Sequence, residues 1–266
     1  MRRALASLAV VAMVAGGLAS VEASTAQAAP PVIAAIGDSY MAGVGAGSYT
    51  DVDGCRQSVR SYAADAARRT ARTLADESCP GAQVPQVLDQ ATRIPADASW
   101  VLIQVGGNDI GFSSLAVSCL LPGSTSCAGA IAQAEESLPA LSTGLAAIAR
   151  EARSRAPKAR LVFAGYPSLL AAPDQCTTGL VGSLLDPAEV AAINGLQSSL
   201  NATIRTAART SGSRYMDWPT VVSQHSLCSA SPWFVTPFTG PPQDSLHPTA
   251  RAYSAMGRQV ASLVRR

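Results

Sequence analysis

Apolar and polar positions recur along this chain with two different periods. Short apolar runs at residues 32–36 (VIAAI), 100–105 (WVLIQV), 160–164 (RLVFA) and, more briefly, 214–217 read as buried strands. Between them, apolar residues fall at helical spacing over 59–74, where arginines occupy the other face, and over 128–155. A third helical segment opens at Asp186-Pro187 and runs to 209, with Asp186 as cap and Pro187 preset for the first turn. Pro139 and Gly144 are expected to bend or restart the 128–155 helix, because proline removes a backbone donor. A final helix is expected over 247–266, also opening with proline, and residues 219–243 read as loop. Strands separated by helices imply βαβ units and a parallel sheet covered on both faces. Working residues in such sheets sit beyond the carboxyl ends of the strands: here after Ile36, near 79–81, after Val105, after Ala164 and after Asp217.

The first 28 residues change the picture at the amino terminus. Arg2 and Arg3 precede an apolar run over 4–19 and an Ala26-Gln27-Ala28 site, the pattern of a secretory signal peptide. The run is short for a membrane anchor and no stop-transfer flank follows, so no transmembrane anchor is expected. Residues 29–266 then form one domain, since no Pro/Ser/Gly-rich linker divides them. The net charge of +2 and the lack of a basic run argue against a nucleic-acid partner. Six cysteines behind an export signal favour disulfides over metal ligation. Nearest-neighbour pairing gives Cys55–Cys79, Cys119–Cys127 and Cys176–Cys228, of which the middle pair encloses only a short Pro/Gly/Ser-rich loop.

Two histidines make the search for a general base almost binary. His247 has Asp244 three residues upstream and Pro248 after it, a spacing that lets the acid hold one ring nitrogen and leave the other free, or that makes only a helix N-terminal cap beside an incidental histidine. His225, in a loop beside Cys228, reads as structural. Ser39, at the end of the first apolar run, is a nucleophile if that histidine reaches it and a helix N-cap if it does not. Donors for an oxyanion are offered by Asn108 in "QVGGND", with Gly106 and Gly107 letting the backbone bend, and by Gly81 in "SCPGAQ". Each loop alone is also an ordinary turn. Other chemistries find no support. "GVGAGS" lacks dinucleotide-loop spacing, the sole lysine, Lys158, lies in no P-loop motif, and "DVDG" lacks the acid that a calcium loop needs at its end and reads as a turn. Neither H-E-x-x-H nor G-x-S-x-G occurs.

Taken in order, "GDSY" at Ser39, "SCPGA" at Gly81, "GGND" at Asn108 and "DSLHP" at Asp244 and His247 resemble the four blocks of the SGNH (GDSL) hydrolase superfamily. The six cysteines and "HSLCSASPW" further resemble its secreted bacterial lipase and esterase branch with three disulfides. The resemblance implies a three-layer α/β/α sandwich of the flavodoxin-like SGNH type, with about five parallel strands. It implies Ser39 as nucleophile, His247 as base, and Asp244 as the group orienting His247, a role a backbone carbonyl takes in some relatives. The backbone N–H groups of Ser39 and Gly81 and the Asn108 amide would form the oxyanion hole. No metal or organic cofactor is required. Tyr40 stands where the family name has Leu, a change expected to bear on pocket shape.

The expected activity is thus a secreted, extracellular serine esterase or lipase acting on a small-molecule or lipid ester, as a monomer and at a lipid–water interface. Leu115, Val117, Leu120 and Leu121 on one side, and Trp233, Phe234, Val235 and Phe238 on the other, favour an apolar acyl chain, the alternative being small satellite cores stapled beside Cys119, Cys127 and Cys228. Carbohydrate or peptidoglycan O-acetyl esterase is the enzymatic alternative, separable by a chain-length series. A non-catalytic binding protein would be expected to lack one of Ser39, Asn108 or His247, and all three are present.

Overall fold

A computed structural model describes residues 29–120, 127–177, 179–237 and 240–265. The expected signal peptide, Leu121 and Phe238 lie outside the described residues, as does the side chain of Val117.

The chain runs β1 (Val32–Gly37), α1 (Ser39–Ala42), β2 (Tyr49–Val52), β3 (Cys55–Ser58), α2 (Tyr62–Arg69), β4 (Thr73–Asp76) and α3 (Val84–Thr92). It continues through β5 (Ala98–Gln104), α4 (Phe112–Leu120), α5 (Cys127–Arg155), β6 (Arg160–Ala164), α6 (Gly179–Gly182), α7 (Pro187–Thr210), β7 (Arg214–Met216), α8 (Thr220–Ser223) and α9 (Ala250–Val264). Five strands form a parallel sheet in the order β4-β1-β5-β6-β7. Helices α2 and α9 pack on each other, while α3, α5 and α7 pack in a second row. This is the expected α/β sandwich. β1 and β5 are almost wholly buried and nearly continuous in apolar residues, as strands covered on both faces must be.

Three helix expectations need correction, and one hairpin escaped the periodicity. The 59–74 helix is shorter: α2 ends at Arg69, and residues 73–76 become the edge strand β4 by pairing with β1. Ala71, with φ +50, makes the break, and pairing to β1 outweighs the helical spacing of Leu74. The "DVDG" turn belongs to a hairpin missed by the periodicity, with Asp53 and Gly54 both at positive φ between β2 and β3. α5 runs unbroken through Pro139, and α9 opens at Ala250 behind Thr249 instead of at Pro248, which pairs in a bridge with Phe234. All three disulfides form as nearest-neighbour pairs.

Candidate active site

β1 ends at Gly37, and the chain turns at once through Asp38 into α1. Gly37 has φ +151, and a Cβ there would stand 2.1 Å from the Gln104 carbonyl oxygen, so only glycine lets β1 end this close to β5. The cap of α1 is Asp38, whose carboxylate accepts the Tyr40 N–H at 2.9 Å. Ser39 is therefore not needed as a cap. Its Oγ lies 2.7 Å from His247 Nε2. His247 Nδ1 is 2.9 Å from the Ser245 carbonyl, which can only accept, so Nδ1 carries the proton and Nε2 accepts from the serine hydroxyl.

The Asp244 expectation is corrected here. The Asp244 carboxylate meets Arg56 Nη1 at 3.1 Å, and the Ser245 carbonyl takes the ring nitrogen. The short 3-10 turn Pro242–Asp244 followed by extended Ser245 brings the carbonyl, and not the carboxylate, to the imidazole. Burial lowers the His247 pKa to about 4, against the raising influence of the Ser245 and Asp244 backbone contacts and the Asp244 charge. The ring is thus neutral at pH 7.

The backbone around His247 is held on both sides. Val235 accepts from Leu246 N–H at 2.8 Å and donates to the His247 carbonyl at 2.9 Å. Leu246 sits at φ +64, a conformation costing of order 1–3 kcal/mol for a non-glycine residue, and its carbonyl accepts the Tyr40 hydroxyl at 2.9 Å. Tyr40 therefore supports the histidine loop as well as shaping the cavity it lines. Trp233 and Phe234, expected beside the acyl chain, are buried behind this loop, and His225 stacks on Trp233 at 4.2 Å in a structural role.

Two further loops complete the surroundings. Gly81, at φ +81, and Asn108 line the same cavity as Ser39 and His247. Asn108 Nδ2 donates to the Ala82 carbonyl at 3.0 Å and Gln83 Nε2 returns a bond to the Asn108 carbonyl, so the two loops are laced together. Among the described residues the N–H groups of Ser39 and Gly81 and the second Asn108 amide proton have no protein acceptor. The Cys55–Cys79 bond ties β3 to the loop that carries Gly81.

Spacing alone could not reveal Tyr166. Its hydroxyl donates to Asp38 in a short bond and accepts the Gly107 N–H at 3.0 Å, joining the serine turn to the Asn108 loop. Asn201 grips the Tyr166 backbone from both sides, at 2.8 and 2.9 Å. The available signal was its place just beyond β6. Burial pushes Asp38 up to about 7, with the Tyr166 bond opposing the rise.

The cavity holds about 440 Å³, with Phe112, Leu115, Leu169, Leu196 and Leu200 prominent in its apolar lining. A small neighbouring void of about 30 Å³ shares Phe112, Leu115 and Leu169 with it and is lined further by Cys119, Leu120 and Leu185. A depression of about 780 Å³ at the amino ends of β5 and β6, lined by Arg72, Lys158 and Arg160, holds neither the serine nor the histidine.

Residues 35–255 match the model of the GDSL-like Lipase/Acylhydrolase family. The chain is 37% identical over 248 residues to a lipase from Streptomyces rimosus, covering 89% of each. The crystal structure of an extracellular lipase from S. rimosus superimposes with a TM-score of 0.79 at 34% identity, covering 88% of this chain and 99% of that one. A phospholipase A1 from Streptomyces albidoflavus NA297 gives 0.80 at 30% identity, with the same shares. Sequence and architecture agree over nearly the whole domain, and this chain belongs to the GDSL-like Lipase/Acylhydrolase family.

Proposed function

We propose that the protein is a secreted serine hydrolase of lipid carboxylic esters, with Ser39 as nucleophile and His247 as base. The observation that carries this reading is the 2.7 Å Ser39–His247 contact, with Nδ1 anchored on Ser245, at the mouth of an apolar cavity. The family and the named lipases and phospholipase A1 among its relatives support the ester class. The apolar lining supports a lipid acyl chain. Residues 1–28 serve as the export signal of a single hydrolase domain over 29–266.

The chemistry follows from the geometry. His247 Nε2 takes the Ser39 proton as Oγ attacks the ester carbonyl, while the Ser245 carbonyl keeps the resulting imidazolium oriented. The developing oxyanion is met by the N–H groups of Ser39 and Gly81 and the free Asn108 amide proton. The imidazolium then protonates the leaving alcohol, and water, activated by the same histidine, releases the acyl group. Desolvation of His247 keeps it a free base at neutral pH, and Ser245 compensates for the absence of a carboxylate on Nδ1.

The test is a p-nitrophenyl ester series from acetyl to palmitoyl with Ser39→Ala as control. The expected result is a preference for the longer chains and loss of turnover in a folded Ser39→Ala protein. Activity retained by that variant sinks the nucleophile assignment, and an optimum at acetyl points to O-acetyl esterase.

A further inference from the structure

The strand order makes the cavity asymmetric about Ser39. β1, which delivers the serine, has β4 on one side and β5 followed by β6 on the other. The β5–β6 side supplies the apolar wall: Phe112 and Leu115 from α4, Leu169 from the loop after β6, and Leu196 and Leu200 from α7. The β4 side, with the β2–β3 hairpin stapled to it by Cys55–Cys79, supplies Pro80, Gly81 and Arg56. Arg56 is the one arginine or lysine lining this cavity among the described residues.

Its guanidinium is preorganised. It lies 4.1 Å from the Tyr49 ring centroid, and Nη1 donates to Asp244 at 3.1 Å. Among the described residues its Nε and Nη2 protons have no protein acceptor, and the side chain is 29% exposed. A planar fork fixed on an aromatic face, with free donors, suits an oxyanion such as phosphate.

We infer that Arg56 forms an anion subsite for the alcohol half of the substrate, so that the preferred substrate is a glycerol ester carrying a phosphodiester. The acyl chain lies along the α4–α7 wall, and the phosphate on the leaving side meets Arg56. This rests on the reading of Ser39 and His247 as the reacting pair. Asp244 holds the guanidinium in place and partly neutralises it, so uncharged esters still enter.

The test compares monomeric dihexanoylphosphatidylglycerol with dihexanoylglycerol, each below its aggregation threshold, on the mature protein. Arg56→Gln is expected to lower kcat/KM for the phospholipid about tenfold relative to the neutral ester, mainly through KM. Arg56→Lys falls between, and added salt narrows the wild-type difference. Equal losses on both esters, or no loss on either, overturn the inference and leave Arg56 as a support for the turn before His247. Should Arg56→Gln fail to fold, Asp244→Asn decides: the amide oxygen still accepts from Nη1 while the opposing charge is gone, which raises the phospholipid-to-neutral ratio, and an unchanged or lower ratio refutes the subsite. Ser39→Ala separates the two readings. If it keeps activity on the neutral ester, the reacting-pair assignment has failed. If it is inactive while the Arg56→Gln ratio is unchanged, only the subsite has failed.

Discussion

The two sides of the cavity are built in opposite ways. Toward β1 and β4, nearly every position is fixed by directional bonds: Gln90 holds both backbone groups of Gly37, Asp38 caps α1, Tyr166 joins Asp38 to Gly107, and a disulfide anchors the Gly81 loop. Toward α4 and α7, apart from Gln197, the wall is made of apolar side chains such as Phe112, Leu115, Leu196 and Leu200, which have no hydrogen bonds to make. Developing charge has to be met within tenths of an ångström, whereas an alkyl chain needs only volume and dryness. A change in the hydrogen-bonded frame that holds Ser39, Gly81 and Asn108 should therefore cost turnover on every ester, and one on the apolar wall should cost selectivity among acyl chains.

That contrast breaks most visibly at Asn108. Asn108→Ala is expected to lower kcat by about 10²–10³ on short and long esters alike, with KM nearly unchanged. A loss confined to long chains would show that Asn108 belongs to the acyl wall. Next comes Ala116, on α4, which lines both the main cavity and the small void beside it. Ala116→Trp should lower kcat/KM for palmitoyl relative to butyryl esters by about tenfold while leaving butyryl turnover in place. Equal losses on both would erase the distinction between the two sides. The smallest effect at working pH comes from His247. Its lowered pKa places the acidic limb of kcat/KM near pH 4, with a plateau above it, and a limb near the ordinary histidine value would show that the ring is not desolvated in solution. The sign for stability agrees. The native ring binds fewer protons than the unfolded one between the ordinary value of 6.5 and about 4, so its contribution is present above that window and is lost as pH falls through it.

Much of this was legible in linear form. Buried parallel strands must be apolar on both faces, so β1, β5 and β6 stood out as runs, and the glycine and serine at the end of the first run marked where backbones approach and chemistry sits. β4 was hidden because an edge strand of four residues carries too little pattern to outweigh the helix before it. Trp233, Phe234 and Val235 were misplaced because apolar content does not say which side of a loop faces the cavity.

The sequence by itself determined which residue types are on offer: a serine at the end of an apolar run, one usable histidine and the small residues that let donors come near. Only the tertiary structure decided which partner each one has. Ser245 and not Asp244 holds His247, Asp244 turns to Arg56, and Tyr166 reaches a carboxylate 128 positions away. Local spacing restricts what a side chain can reach along its own turn. The choice among partners is made by groups that the sheet brings together from distant segments, where burial makes each unmet hydrogen bond costly.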